Sequence, residues 1–390
     1  MKKNLVLLCV VCLFCTSCKH IPKTAGDKLE VEGLIKIDIM TNLLTVQKMN
    51  LSTVASNIEY CLLETDKKCL VSPDDAFYAS DEFVVTIGRG HYYVFNRKTG
   101  NYIRQISGEG RGPGEYSESC PLFWDPQNEQ VCMFGNNQYI FYKIDGTISH
   151  YTKRFNHYMD RFVPYDDYYV GYVPNKLGNS AIRIAFYDKT GYLIDSIPNY
   201  KLWKRAKSSR SSSDSWLYVF NNNLYYIDLY CDTLYRIKDF TLHPRYVFNT
   251  DGRTVPYEIQ GGGRYEIQSI DNKNVLIDRY EQYVCIAYVH ESNKYLYIGF
   301  MYRQKGYRAI YDKVEDNLQI VPNGFENDLD GGLPFWPRQM NSEKEMMCVY
   351  PAEELLKLDV SKISDPKLKN VLGQLTEDSN PVVAIVTLKD

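Results

Sequence analysis

From about residue 34 the chain is a succession of short apolar runs rich in β-branched and aromatic side chains. Val84-Val85-Thr86-Ile87, Tyr92-Tyr93-Val94-Phe95, Val131-Cys132-Met133-Phe134 and Tyr139-Ile140-Phe141-Tyr142 are four of them. Turn-forming residues separate the runs, so each reads as a strand. The pattern breaks near the end. Pro351 and Pro366 each stand where a helix can begin. After Pro366, Leu368, Val371, Leu372 and Leu375 fall at helical spacing and predict one apolar face. Val382 to Leu388 returns to a strand pattern.

The runs repeat. Phe95-Asn96-Arg97-Lys98-Thr99-Gly100 returns as Phe141-Tyr142-Lys143-Ile144-Asp145-Gly146 and as Phe186-Tyr187-Asp188-Lys189-Thr190-Gly191. The three glycines are 46 and 45 residues apart, and a fresh strand follows each. Strand, polar turn, glycine and strand make a hairpin. A hairpin at that period fits one four-stranded propeller blade. Weaker echoes at Thr233–Ile237 and Ala309–Lys313 extend the series to about six blades. The expected fold is all-β, a six-bladed β-propeller with a short C-terminal helical insertion. Either terminal strand could complete the last blade and close the ring.

The N-terminus is of another kind. Lys2 and Lys3 precede an uncharged apolar run, Leu5 to Cys15, and Thr16-Ser17-Cys18 follows. That is the order of a secretory signal peptide, and the run is too short to span a bilayer. Leu13-Phe14-Cys15-Thr16-Ser17-Cys18 resembles a lipobox, with Cys15 where an aliphatic residue is usual. The expected organisation is therefore a signal peptide over 1–17, a lipidated tether over 18–33 carrying acyl chains on Cys18, and the propeller over 34–390. The tether has Pro22, Gly26 and Gly33 and no apolar periodicity.

Composition narrows the function. Removing the leader takes two lysines from 45 basic residues against 48 acidic ones, for a mature charge of about −5. This argues against nucleic-acid binding. Tyrosine is abundant at 34 and histidine scarce at 6. Tyrosine favours strands and supplies flat, stiff, hydrogen-bonding surfaces. Beyond Cys18 lie Cys61, Cys69, Cys120, Cys132, Cys231, Cys285 and Cys348, with no C-x-x-C among them. The odd number cannot all pair. Cys61 and Cys69 are the candidate bridge across a hairpin, and the others are expected as buried small hydrophobes.

Several motifs invite chemistry. Gly108, Gly110, Gly112 and Gly114 alternate in one loop, but Pro113 removes a donor and no helix pattern follows. The loop is therefore expected to be a tight connector needing positive φ rather than a phosphate cradle. Asp328-Leu329-Asp330-Gly331-Gly332 lacks the further oxygens of an EF-hand, so it is expected as a turn. No cofactor is expected, and a channel metal such as Ca²⁺ is the open alternative. His91, His150, His157, His243 and His290 form no H-E-x-x-H, and no G-x-S-x-G occurs. Lys201, Trp203, Lys204, Arg205, Lys207 and Arg210 form one basic cluster, expected as a solvated loop, with a grip on a polyanion as the alternative.

Ile106-Ser107-Gly108-Glu109-Gly110-Arg111-Gly112-Pro113-Gly114-Glu115-Tyr116 resembles the connector of six-bladed β-propeller lipoproteins of Gram-negative gut-type bacteria, a loop style shared with NHL-like propellers. Asp232–Ile237 with Pro244–Val247, Asn327–Pro337 and Asn380–Val383 are similar to that family's middle blade, last blade and C-terminal strand. The resemblance implies an envelope lipoprotein, with no established reaction. It places Arg111, Glu115 and Tyr116 on one loop face. Asp328, Asp330 and Trp336 lie in a turn-rich segment entering the last blade, the neighbour of the first once the ring closes. Together they are the candidate ligand site, suited to a polar ligand with stackable faces. The alternative is that Phe335 and Trp336 are core and the charges cap turns. The leading function is non-catalytic binding of a glycan, peptide or envelope partner protein, with no nucleic acid and with membrane contact through the N-terminal lipid. The rivals are a lyase or hydrolase with a channel metal and a structural subunit of an envelope complex. Residues after Cys18 lack the acidic cluster that often marks surface export in such bacteria, so the outer membrane is the expected site with its face open.

If Cys18 carries the lipid, metabolic labelling with a fatty acid marks the wild-type chain and not Cys18→Ala. Equal labelling of the two would exclude acylation there.

Overall fold

The computed structural model describes residues 33–389 except 89–90, 107–109, 111, 113, 116–122, 126, 136–137, 154–156, 158, 160, 176–177, 203–214, 257–258, 260–263, 272 and 364. The signal peptide, Cys18 and nearly all of the tether lie outside the described residues, as do Cys120 and the basic cluster beyond Lys201.

Six antiparallel four-stranded sheets follow one another around a ring. In blade 1 the strands run from the axis outward as Phe77–Ala79, Phe83–Gly88, His91–Asn96 and Tyr102–Ile106. Blades 2 to 5 repeat this order, beginning at Phe123, Arg161, Ser215 and Cys285. The strands beside the outer one are apolar on both faces: Tyr92 to Phe95 and Tyr139 to Tyr142 are buried throughout. A strand covered on both sides reads as a continuous apolar run rather than an alternation. Here the cover is the two adjacent blades. One buried cluster, with Val85, Tyr92, Val131 and Ile140, joins blades 1 and 2. Others join 2 to 3, 3 to 4, 4 to 5 and 5 to 6.

The sequence repeat marks the hairpin that ends each blade. At Gly100, Gly146 and Gly191 φ is +75°, +84° and +93°, where an L side chain is strained. Asn96, Asp145 and Asp188 each accept a turn N–H, from Thr99, Thr147 and Thr190 at 2.9, 2.8 and 2.9 Å. Such an Asx turn explains why the motif keeps a short polar residue before the glycine.

Blade 6 is assembled from both ends of the chain. Gln339–Ser342, Glu345–Tyr350 and Val382–Leu388 come from the C-terminal part, and Ala55–Leu62 pairs antiparallel with the last of these as the outer strand. Of the two closures open from sequence, the N-terminal strand takes the outermost place. Asn380 secures the join: its amide donates to the carbonyls of Glu64 and Cys69 at 2.8 and 2.9 Å and accepts from Val71 N at 3.0 Å. Arg97 of blade 1 grips Glu345 of blade 6 through two nitrogens, at 2.7 and 3.0 Å. The apolar part of this interface gathers Val84, Phe95, Met347 and Ile385.

Between the second and third strands of blade 6 lie the helices Ala352–Leu355 and Pro366–Gln374. The longer helix buries Leu368, Val371 and Leu372, as its periodicity predicts, and Asp365 caps its N-terminus. Two features go beyond the sequence reading. Ile35–Asp38 adds a parallel fifth strand to blade 4, and a hairpin of Tyr265–Ile270 and Lys273–Asp278 stands apart between blades 4 and 5.

Two expectations are corrected. Cys61 and Cys69 are free thiols, both buried, hydrogen-bonding the carbonyls of Asn96 and Glu64 instead of each other. In the glycine-rich connector positive φ is found at Gly114, +78°, not at Gly110 or Gly112. The space at those two is taken by the Glu115 carboxylate, which a Cβ on Gly110 would meet at 2.0 Å.

Closure makes Gly100 a sensitive position, because a Cβ there would lie 1.7 Å from the Leu62 carbonyl oxygen in the closing strand. Gly100→Ala is expected to destabilise the protein by about 1–3 kcal/mol. Gly306→Ala, where a Cβ meets nothing within 4 Å, is the near-neutral control. Thermal melts of the two variants check the difference.

Candidate functional site

The six innermost strands surround a channel on the ring axis. They start at the face carrying the inter-blade connectors, called upper here, and end at the lower face. The upper cavity is about 630 Å³ and is lined by Tyr78, Arg161, Trp216, Tyr288, Arg308 and Trp336 among others. The lower cavity is about 340 Å³ and takes residues from all six inner strands, among them Asp125, Tyr218, Glu291 and Asn341. Tyr78, Arg161, Trp216 and Gln339 line both, so the cavities meet at a waist.

Aromatic rings define that waist. The Arg161 guanidinium lies 4.2 Å from the centroid of Trp216, within cation–π distance. Trp216 meets His290 edge-on at 5.1 Å and lies 5.7 Å from Tyr288. A bulge between Ile286 and Tyr288 shifts the register of the inner strand of blade 5. Bulges re-aim side chains in this way. The Tyr288 ring then lies over Gly299, where a Cβ would come within 2.2 Å of it. Glycine inside a strand marks such a close approach. Trp336 Nε1 donates to the Tyr288 hydroxyl at 2.9 Å, and Trp336 is itself stacked on Phe325. The tyrosine is thus held on two sides. Burial lifts its phenol above the ordinary value, with Trp336 and Arg308 pulling the other way.

Three polar atoms of the cavity-lining residues have no hydrogen-bond partner among the described residues: Trp216 Nε1 and both amide atoms of Asn341. Buried polar atoms are usually paired, and leaving one unpaired costs about 1–3 kcal/mol. The buried Glu291 is the opposite case. It takes Arg245 at 2.9 Å, Lys313 at 3.0 Å and the Tyr218 hydroxyl at 3.0 Å. These partners come from blades 4 and 5, so this carboxylate serves the interface between them.

The residues singled out from sequence are dispersed. Trp336 lines the upper cavity but is only 6% exposed, with Phe335 fully buried beside it. Asp328 accepts from the backbone and hydroxyl of Ser52, at 2.9 and 2.5 Å. Asp330 caps Gly332 N at 2.8 Å and lines a separate cleft with Tyr60 and Asp365. Glu115 turns back on its own loop and accepts from Gly112 N at 2.6 Å, while Gly114 packs beside Ile148 of blade 2. Arg111 and Tyr116 lie outside the described residues. Both loops are connectors of the upper face, yet no hydrogen bond or ion pair among the described residues joins Glu115 to the Asp328–Trp336 segment. The described residues hold no group of three His, Cys, Asp or Glu side chains able to ligate a metal ion.

Arg161, Trp216, Tyr288, Arg308 and Asn341 are the channel residues that sequence reasoning did not single out. One signal was available: Gly299 interrupts Tyr295–Tyr302, an otherwise continuous aromatic and aliphatic run.

Comparison with known proteins agrees with the fold. A protein of Bacteroides fragilis NCTC 9343 assigned as exported superposes with a TM-score of 0.66 at 18% identity, covering 92% of this chain and all of that one. A member of the DUF4221 family from Bacteroides vulgatus ATCC 8482 gives 0.47 at 9% identity, over 86% and 97% of the two chains. The WD40 domain of Neurospora crassa Pan2 gives 0.38 at 9% identity, over 88% and 98%. No curated protein matches. Residues 34–387, the whole ring, match the family described as Domain of unknown function (DUF4934), and the chain belongs to that family.

Proposed function

We propose that this protein is a lipid-anchored protein of the bacterial cell envelope whose channel binds a glycan, peptide or partner protein without catalysing a reaction. The observation that carries the binding role is the channel wall, where rings lie beside buried polar atoms that have no partner among the described residues: Trp216 Nε1 and the Asn341 amide. A ligand that supplies an acceptor to the indole and a donor and acceptor to the amide forms hydrogen bonds that no described residue supplies. Concave sites with apolar walls and a few convergent polar groups are the usual form of a ligand pocket. The envelope location rests on the Lys2-Lys3 leader and Thr16-Ser17-Cys18, and on the export assigned to the similar Bacteroides fragilis protein.

A screen of glycans and envelope extracts tests this reading, with Trp216→Phe and Asn341→Leu as the channel variants. A ligand retained by the wild type is expected to be held about tenfold less well by each variant, the worth of one buried hydrogen bond. Undiminished retention by both folded variants would remove the channel as the site.

The channel wall also carries a pH dependence. Burial, then the nearby charge of Arg161, pushes the His290 imidazole down to about 3 from its usual 6.5. Between those values the unfolded chain binds a proton that the native chain does not, so stability rises with pH there. The contribution is complete above about pH 6.5 and falls as the pH drops toward 3. Melting temperatures between pH 4 and 7 are expected to change less steeply in His290→Gln than in the wild type.

A further inference from the structure

The upper cavity has a character that the binding reading alone does not require. Its charged lining residues are Arg161, Arg308 and Arg338 against one carboxylate, Asp74. Arg338 spends its guanidinium on the backbone carbonyls of Pro73, Asp74 and Asp75. Arg308 is half-buried and has no carboxylate within ion-pair distance among the described residues. In a chain with a formal net charge of −3, Arg308 thus leaves a positive charge at one mouth of the channel. Low-dielectric walls focus such a field and attract an anion.

Tyr288 sharpens the picture. A phenolic oxygen offers two lone pairs and one proton. Trp336 Nε1 donates to that oxygen at 2.9 Å, and Arg308 lines the same cavity. The indole is a donor-only group, so it takes a lone pair and leaves the O–H as a donor. No acceptor for it exists among the described residues, and Tyr288 lines the cavity. A phenolic O–H next to a guanidinium is a donor pair for a carboxylate, whose two oxygens only accept. Tyr78 and Trp216, one face of which carries Arg161, add rings to the lining beside it. The upper cavity, about 630 Å³, is within the size range of small-ligand pockets.

We propose that the upper mouth recognises the carboxylate of an acidic saccharide, a uronic-acid unit, held by Arg308 and Tyr288 with its ring against Trp216. The proposal rests on the channel being a binding site and adds which class of ligand it takes. Ring faces favour a pyranose over a flexible acidic peptide, because a stiff flat wall matches the apolar face of a sugar ring.

Calorimetry on the full chain with a galacturonic-acid trimer and its methyl ester separates charge from ring recognition. The trimer is expected to bind roughly ten- to hundredfold more tightly than the ester, the range of one hydrogen bond to a charged group. Arg308→Gln should reduce the trimer to the level of the ester. Arg308→Lys should restore part of the difference, and Tyr288→Phe, which also leaves Trp336 Nε1 without its acceptor, should lower trimer affinity at a temperature where the variant is still folded. Added salt should weaken the trimer and leave the ester unchanged. Equal affinity for trimer and ester would overturn the carboxylate assignment while leaving the channel a binding site. Binding of an acidic peptide in place of either sugar would overturn it too, and so would no binding of either sugar.

Discussion

The structure depends on closure of the ring. A blade is a twisted sheet whose two faces are both apolar, and nothing inside the blade covers them. Each face is buried only by the next blade, so an open arc of six blades would leave two apolar faces in water. The chain avoids this by lending Ala55–Leu62 to the blade built from its C-terminal end. That pairing fixes where the first and last blades meet, and the polar contacts at the join follow from it. Arg97 can reach Glu345 only because blade 1 packs on blade 6, and Asn380 can satisfy three backbone groups only because the segment after Leu62 runs past it. The channel is a consequence of the same closure. Six inner strands face one another because the ring leaves them no other neighbour.

The fold was legible because its signals are local. Asn96, Asp145 and Asp188 cap their turns within a few residues, so the motif ending at Gly100, Gly146 and Gly191 records the last hairpin of a blade directly. The helical face of Leu368, Val371 and Leu372 was legible for the same reason. Closure was only half legible, since both terminal strands were suitable and the choice depends on pairing across most of the chain. The Cys61–Cys69 bridge illustrates the limit of spacing arguments. The two thiols are near in sequence, but each is committed to a different carbonyl.

The site was less legible, because its residues are brought together by the ring and by no local pattern. Arg161, Trp216, Tyr288 and Arg308 belong to three blades and sit in strands whose other members are ordinary core. The sequence pointed to turn-rich connectors, where charged and aromatic residues stand out. Those residues proved to have partners of their own, two of them local: Asp330 with Gly332 and Glu115 with Gly112, while Asp328 is held by the sequence-distant Ser52. Trp336 is the one that reaches the channel, and it does so as the support of Tyr288. Glycines carry two meanings here. Those at the hairpins permit a positive φ, whereas Gly299 makes room for a ring, and only the structure tells the two apart.

Charge along the channel follows the same division between support and presentation. Glu291 opens onto the lower cavity, yet two cations and a phenol surround it, and the group as a whole binds blade 4 to blade 5. Removing one member of such a buried set leaves the others uncompensated, so its residues are constrained by stability. Arg308 has no such constraint. Its charge is not answered by any described carboxylate, and no ion pair among the described residues ties it to a blade interface. A half-buried guanidinium left in that state loses solvation without gaining an ion pair. Its neighbour Tyr288 is at the same time fixed by a strand bulge, a glycine and an indole. The indole and the glycine hold the ring in place for the fold, but the phenolic proton has no acceptor among the described residues, and an acceptor from outside the chain is what would complete it.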